Sequence, residues 1–225
     1  MALILSIETA LDVCAVAIHE NGNLVRMLEV REPRSHAAQL ALLIREVCKQ
    51  SSHSLSHMQA IAVSAGPGSY TGLRIGVSTA KGLCYGLNIP LISVDTLDVI
   101  AQETRQHCPA ETWVCPMIDA RRMDVFYKLI DERHREVLQT SATTLHPLLF
   151  RDYLDQGITI CFSGNAIEKC KTVVQHPRAL FIPGIYPRVS VLGELAHSKW
   201  IKGITEDPAR FEPVYAKEFF TTAKG

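Results

Sequence analysis

The sequence predicts an α/β protein of two similar lobes packed across a cleft. Two observations carry that prediction. The order βββαβα runs through the chain twice, with a further strand and helix after each copy. Each copy opens on an apolar strand ending in an acid, Glu8 in SIETA and Asp119 in MIDAR. A third observation sets the scale. The chain has 225 residues, 47% apolar and 20% charged, and a chain of this size buries roughly 70–75% of its unfolded surface without a disulfide or metal staple. Neither half can cover both faces of its sheet alone. The lobes are expected at 1–108 and 109–225. The tail after residue 204, with EPVYAKEF (212–219), is expected to dock back on the first lobe.

In the first half, LILSIETA (3–10), VCAVAIHE (13–20) and LVRMLEVR (24–31) read as strands. NGN (21–23) is a hairpin signal, because Asn and Gly tolerate positive φ. SHAAQLALLIREVCKQ (35–50) is a helix on the spacing of Leu40, Leu43, Ile44 and Val47, with Ser35 as its cap. AIAVSA (60–65) is a strand, 70–87 a helix, PLISV (90–94) a short strand and 95–106 a helix. The second half repeats the order. WVCPMIDA (113–120), DVFYKLID (124–131) and EVLQTSAT (136–143) are strands, and HPLLFRDYLDQG (146–157) is a helix. ITICFSG (158–164), NAIEKCKTVVQ (165–175), ALFIP (179–183) and VSVLGELAHSKWIKG (189–203) alternate strand and helix, with Gly203 as the final stop. Hairpins first and crossovers after give mixed sheets.

Composition narrows the function. Lys plus Arg is 23 and Asp plus Glu is 23. With no dense basic run, the chain does not hold a polyanion by itself. Seven cysteines without a CxxC pair read as reduced thiols in a cytoplasmic protein. MALILSIETALD lacks a basic n-region and is interrupted by Glu8, so it reads as a strand and not a signal peptide. No apolar stretch approaches the ~20 residues of a membrane span.

The stretch SAGPGSYTGLRIG (64–76) leads from a strand into a helix, where many proteins cradle a phosphate. Three templates fail on residue identity. A Walker loop needs a lysine that does not follow Gly66 or Gly68, a dinucleotide fingerprint needs glycine where Thr71 stands, and a nucleophile elbow fails at Pro67. Another spacing is present. Gly68, Gly72, Gly76 and Ala80 fall four apart, so from Gly72 onward they draw a stripe nearly free of side chains along one helix face. Glycine costs a helix about 1 kcal/mol at each interior position, so the stripe serves the close approach of another backbone. That backbone belongs either to the same lobe or to another chain. Arg74, off the stripe, can reach a carboxylate across such a contact.

The duplicated order resembles the actin-like superfamily, which includes sugar kinases. The resemblance implies two actin-like (RNase H-like) lobes. In that superfamily a glycine-bearing hairpin after the first strand of each lobe wraps the nucleotide phosphates, and an Asp there handles magnesium. Here the hairpins IETALDVC (7–14) and IDARRMDV (118–125) contain no glycine, Glu8 replaces the usual Asp, and arginines follow Asp119. Side chains at those positions block the approach of a backbone to phosphate. Glu8, Thr9 and Asp119 therefore mark a vestigial nucleotide cleft, with Glu8 and Asp119 serving as strand ends that bond nearby backbone. No cofactor is expected.

GPGSYTGLRIGV (66–77), SIETA (6–10), RSH (34–36), IDARRMDVFY (118–127) and EPVYAK (212–217) together are very similar to the signatures of the bacterial TsaB (YeaZ) family, in order along nearly the whole chain. The resemblance implies a non-catalytic subunit that activates the related transferase TsaD. With TsaE and a TsaC-type synthase, these proteins make threonylcarbamoyladenosine at position 37 of tRNA. It implies an interface built from the first two helices, 35–50 and 70–87. The residues assigned to it are Arg34, His36, Gln39, Ser69, Tyr70, Gly72, Arg74, Gly76 and Ala80. It further implies tRNA contact only through the complex; a homodimer is the candidate state when the partner is absent, and the sequence leaves open which helices it would use.

No metal is expected. The partner family binds its metal with two histidines four apart on the first helix, but here His36 is followed by Leu40. HSLSH (53–57) has the spacing of a ligand pair but sits in a serine-rich joint without a third ligand. Two other classes stand against the activator reading. An ATP-dependent small-molecule kinase is opposed by the glycine-free hairpins. A glycoprotease-like peptidase is opposed by the lack of H-E-x-x-H or a spaced nucleophile set.

Overall fold

A computed structural model describes residues 2–32 and 35–214. In the first half β1 (Leu3–Glu8), β2 (Cys14–Glu20) and β3 (Asn23–Val30) form an antiparallel meander. Left-handed Asn21 and Gly22 make the turn between β2 and β3. Helix α1 (His36–Ser51) leads through a short 3-10 turn (Leu55–His57) into β4 (Ala60–Gly66), which pairs parallel with β1. Helix α2 (Tyr70–Leu87) leads into β5 (Leu91–Asp95), parallel to β4, and α3 (Thr96–Arg105) follows. The second half repeats this with β6 (Trp113–Asp119), β7 (Asp124–Ile130), β8 (Glu136–Thr144), α4 (Arg151–Asp155), β9 (Ile160–Ser163), α5 (Ile167–Val173), β10 (Ala179–Phe181) and α6 (Val189–Ile201). The sheet orders, β3-β2-β1-β4-β5 and β8-β7-β6-β9-β10, are the same topology twice.

Alternation along β1 sends Leu3, Leu5 and Ile7 to one face. There α1 (Leu40, Leu43, Ile44, Val47) and α2 (Val77, Ala80, Cys84) cover them. Ile4 points to the other face and meets Val191, Leu192 and Ala196 of α6. On the second sheet, Cys115, Met117 and Val125 pack beneath α4 and α5 with Phe150 and Phe162.

The last helix of each half lies across the molecule. Leu97 and Ile100 of α3 pack with Ile118 and Phe126 of the second sheet, while α6, late in the second half, covers the first sheet. Residues 206–214 also lie on the first sheet. Glu206 N donates to Leu91 O (2.8 Å), Lys81 Nζ to Phe211 O (2.9 Å) and Val214 N to Ala65 O (2.7 Å). A division at residue 108 thus separates the two sheets but not the helices packed on them. EPVYAKEF beyond Val214 falls outside the described residues.

Local departures have local causes. The helix expected over 146–157 shortens to α4, because Pro147 and left-handed Phe150 (φ 65°) keep its first half out of helical geometry. Ser35 does not cap α1 with its side chain; its hydroxyl donates instead to Glu32 O at 2.7 Å.

Candidate functional site

The glycine turn presses on the corner that follows β1. Ser69 Oγ caps α2 by accepting from Gly72 N (3.3 Å), and Ser69 N donates to Ala10 O (2.6 Å). Thr9 Oγ1 donates to Gly72 O at 2.8 Å. A Cβ on Gly68 would stand 2.3 Å from Ala10 O, one on Gly72 2.1 Å from Thr9 O, and one on Gly76 2.1 Å from Thr9 Oγ1. The stripe is therefore filled by the chain's own first hairpin. This corrects the assignment of Gly72, Gly76 and Ala80 to a partner surface. All three are buried, and Ala80 belongs to the core between sheet and helices.

Glu8 is sealed at the same corner. Its carboxyl accepts from Ala10 N (2.7 Å) and from the Ser64 hydroxyl. Burial pushes it up to about 7, partly offset by those bonds. Asp119 is half in solvent and already occupied. Its Oδ1 accepts from Arg121 N (2.6 Å) and lies 3.0 Å from Lys169 Nζ, an ammonium that also donates to the carbonyls of Arg122 and Asp124. Between the hairpins, Leu11 and Ala120 join one apolar cluster with Ile118 and Phe126. Carboxylate, ammonium and apolar side chains thus line the two hairpins.

The remaining assigned residues lie around α1 and the start of α2. His36 is buried, and its Nε2 donates to Leu11 O at 2.9 Å, pinning α1 to the first hairpin. Gln39 is half-buried and Ser69 exposed. The Arg74 guanidinium sits 4.0 Å above the Tyr70 ring. Arg34 lies outside the described residues.

A second glycine pair escaped the sequence reading. Gly82 and Gly86 have nothing within 4 Å of an added Cβ, and beside them Tyr85 is 90% exposed. Ser78, Gly82 and Gly86 are also four apart, but two residues on from Gly76 and Ala80, which is about 200° around the helix. On α1, Ala38, Ala41 and Arg45 are exposed along with Leu42, which is 48% exposed. The two helices pack side by side, and each turns small residues and one large apolar side chain to solvent. Among the described residues no group of three or more His, Cys, Asp or Glu is arranged to hold a metal, and no helix is long and apolar enough to cross a membrane.

Fold and corner together define an actin-like α/β protein whose first hairpin packs against its own glycine turn. The model of the family described as TsaD, tRNA N6-adenosine threonylcarbamoyltransferase, matches residues 31–202. The chain belongs to that family, in its TsaB (YeaZ) branch. It is 37% identical over 124 residues to the TsaB protein of Escherichia coli, covering 55% of this chain and 53% of that one. The chain thus matches about half the length of that relative. The Bacillus subtilis TsaB protein is 26% identical, with 88% of this chain and 98% of that protein covered. The solved structure of YeaZ from Pseudomonas aeruginosa superposes with a TM-score of 0.79 at 28% identity, covering 96% of this chain and 100% of that one. At 11% identity and a TM-score of 0.51, an ethanolamine utilization protein from Carboxydothermus hydrogenoformans shares the fold alone.

Proposed function

We propose that this chain is the non-catalytic activating subunit of a tRNA threonylcarbamoyladenosine machinery. It docks on the transferase TsaD through the outward face of α1 and α2. The observation that carries the reading is that face: Tyr85, 90% exposed, beside the open Gly82 and Gly86, with Leu42 exposed on the neighbouring α1. An aromatic anchor flanked by small residues lets two helices approach closely and bury a large side chain at their centre. The names of the curated relatives, which are tRNA threonylcarbamoyladenosine biosynthesis proteins, supply the pathway. The two hairpins support the non-catalytic part. Glu8 is buried, Asp119 is ion-paired to Lys169, and neither hairpin has a glycine where phosphate would sit.

In this reading TsaE joins the pair, a TsaC-type synthase supplies the activated group, and tRNA is met only through the complex. The same face makes a homodimer when the transferase is absent.

The test is a dropout reconstitution. Threonylcarbamoyl transfer to tRNA is followed with all components, without this chain, and with Tyr85→Ala. Transfer should collapse without the chain and fall at least about tenfold with Tyr85→Ala, the loss typical of an interface anchor. Equal transfer without the chain sinks the reading. Turnover of Mg-ATP by the chain alone returns it to the kinase class.

A further inference from the structure

The tip of the second hairpin is used neither by the fold nor by the docking face. Two consecutive residues there, Arg121 (φ 70°) and Arg122 (φ 48°), adopt the left-handed backbone that L side chains disfavour. Asn and Gly take this conformation readily; arginine does not, and β-carbon strain at such a position persists only when the surroundings enforce it. Lys169 enforces it, by donating to Arg122 O (3.1 Å) and to Asp124 O (2.6 Å). The same ammonium neutralises Asp119 at 3.0 Å, and the Asp124 carboxylate accepts from the Thr144 hydroxyl. The two acids nearest the tip are thus satisfied from within. Both arginines are exposed, and among the described residues neither guanidinium has a hydrogen bond, ion pair or ring contact.

We infer that Arg121 and Arg122 form a rigid phosphate-contacting fork that touches the RNA backbone held by the complex. Guanidinium is the group suited to this, because it stays charged and offers paired donors to phosphate oxygens. The tip belongs to the second sheet, whereas α1 and α2 cover the first. The proposed machinery brings RNA to the complex, and on the adjoining segment Asn165, Glu168 and Lys171 are exposed and polar. Two contacts are too few to hold tRNA alone, consistent with the absence of net charge. The inference rests on the tRNA-modification reading.

The experiment pairs Arg121→Asn with Arg122→Gly in the full chain, residues that relieve the backbone while removing both charges. Three quantities are read: the Tm, assembly with the transferase, and the Kd of the assembled pair for a tRNA transcript across a salt series. The expected result is a Tm at or above the starting value and unchanged assembly. RNA binding should weaken about fivefold to tenfold, with the salt slope shallower by about 1.5. An Arg121→Lys, Arg122→Lys variant should recover part of the affinity.

Unchanged RNA affinity overturns the inference. So does a fall in Tm, which would make the arginines structural. Weakened assembly with intact RNA affinity also overturns it, because the fork would then read a protein. If no complex with the transferase forms at all, the tRNA-modification reading fails separately. The inference, which rests on that reading, then falls with it.

Discussion

Glu8 shows how burial changes the chemistry of an acid at a strand end. In SIETA it is the last residue of β1. Here the carboxyl is buried, bonded to Ala10 N and the Ser64 hydroxyl, and pushed up to about 7 by burial. Below pH 4.5 both folded and unfolded chains carry the proton. Between pH 4.5 and 7 the unfolded chain releases it while the fold retains it. Stability is therefore lost as pH rises through that window, by about 3 kcal/mol at most. Glu8→Gln removes the titration and should flatten the fall, leaving the variant the more stable protein at pH 8. Urea unfolding at pH 4.5, 6 and 8 checks this; parallel pH profiles for the two proteins would refute it. The acid at the strand end was legible in the sequence. Its burial was not, because burial depends on residues 56 positions away in β4.

At the scale of the element, α2 carries two small-residue stripes with opposite duties. Gly72 and Gly76 face Thr9, and a methyl there meets oxygen at 2.1 Å. Gly72→Ala should cost about 1–3 kcal/mol, the usual range for overpacking a core. Gly82→Ala meets nothing within 4 Å and should stabilise the free chain by up to about 1 kcal/mol through helix propensity. Thermal unfolding of the two variants reads the difference in sign, and a shared sign would show that the stripes do not differ. The helix itself was predicted over its whole span, because periodicity and the Ser69 cap are local signals. The duty of each glycine was not local. Spacing of four marks a face, but only the position of the first hairpin says which face is filled.

The two sheets are held together by crossing helices and by one charge cluster. Lys128 on β7 lies 2.6 Å from Asp98, 3.0 Å from Glu136 and 3.4 Å from Asp95, so it ties the end of β5 and the start of α3 to the second sheet. Burial works against the charge of Lys128, but the three carboxylates more than offset it and its pKa is raised. Lys128→Met would leave those carboxylates facing one another. The expected loss is about 2 kcal/mol at pH 8, below the range for a fully buried pair because Asp98 and Glu136 remain 40% and 41% exposed. The loss should shrink as pH falls, because burial holds Asp98 above the usual carboxylate range and it is the first to take up a proton. A loss independent of pH would assign the effect to packing. With α3 and α6 exchanged between the halves, calorimetry should show one unfolding transition; two separate transitions would mean that each half folds alone.

By itself the sequence determined the duplicated βββαβα order, nearly every element, the family and the absence of hairpin glycines. Each of these is written in short-range periodicity, in turn residues or in contiguous motifs. Tertiary structure decided which glycine stripe faces inward, that Lys169 occupies Asp119, and that the last helix of each half covers the sheet of the other. Those outcomes depend on groups far apart in the chain. A helix presents the same periodic face to either sheet, and a carboxylate reads the same in sequence whether water or an ammonium neutralises it.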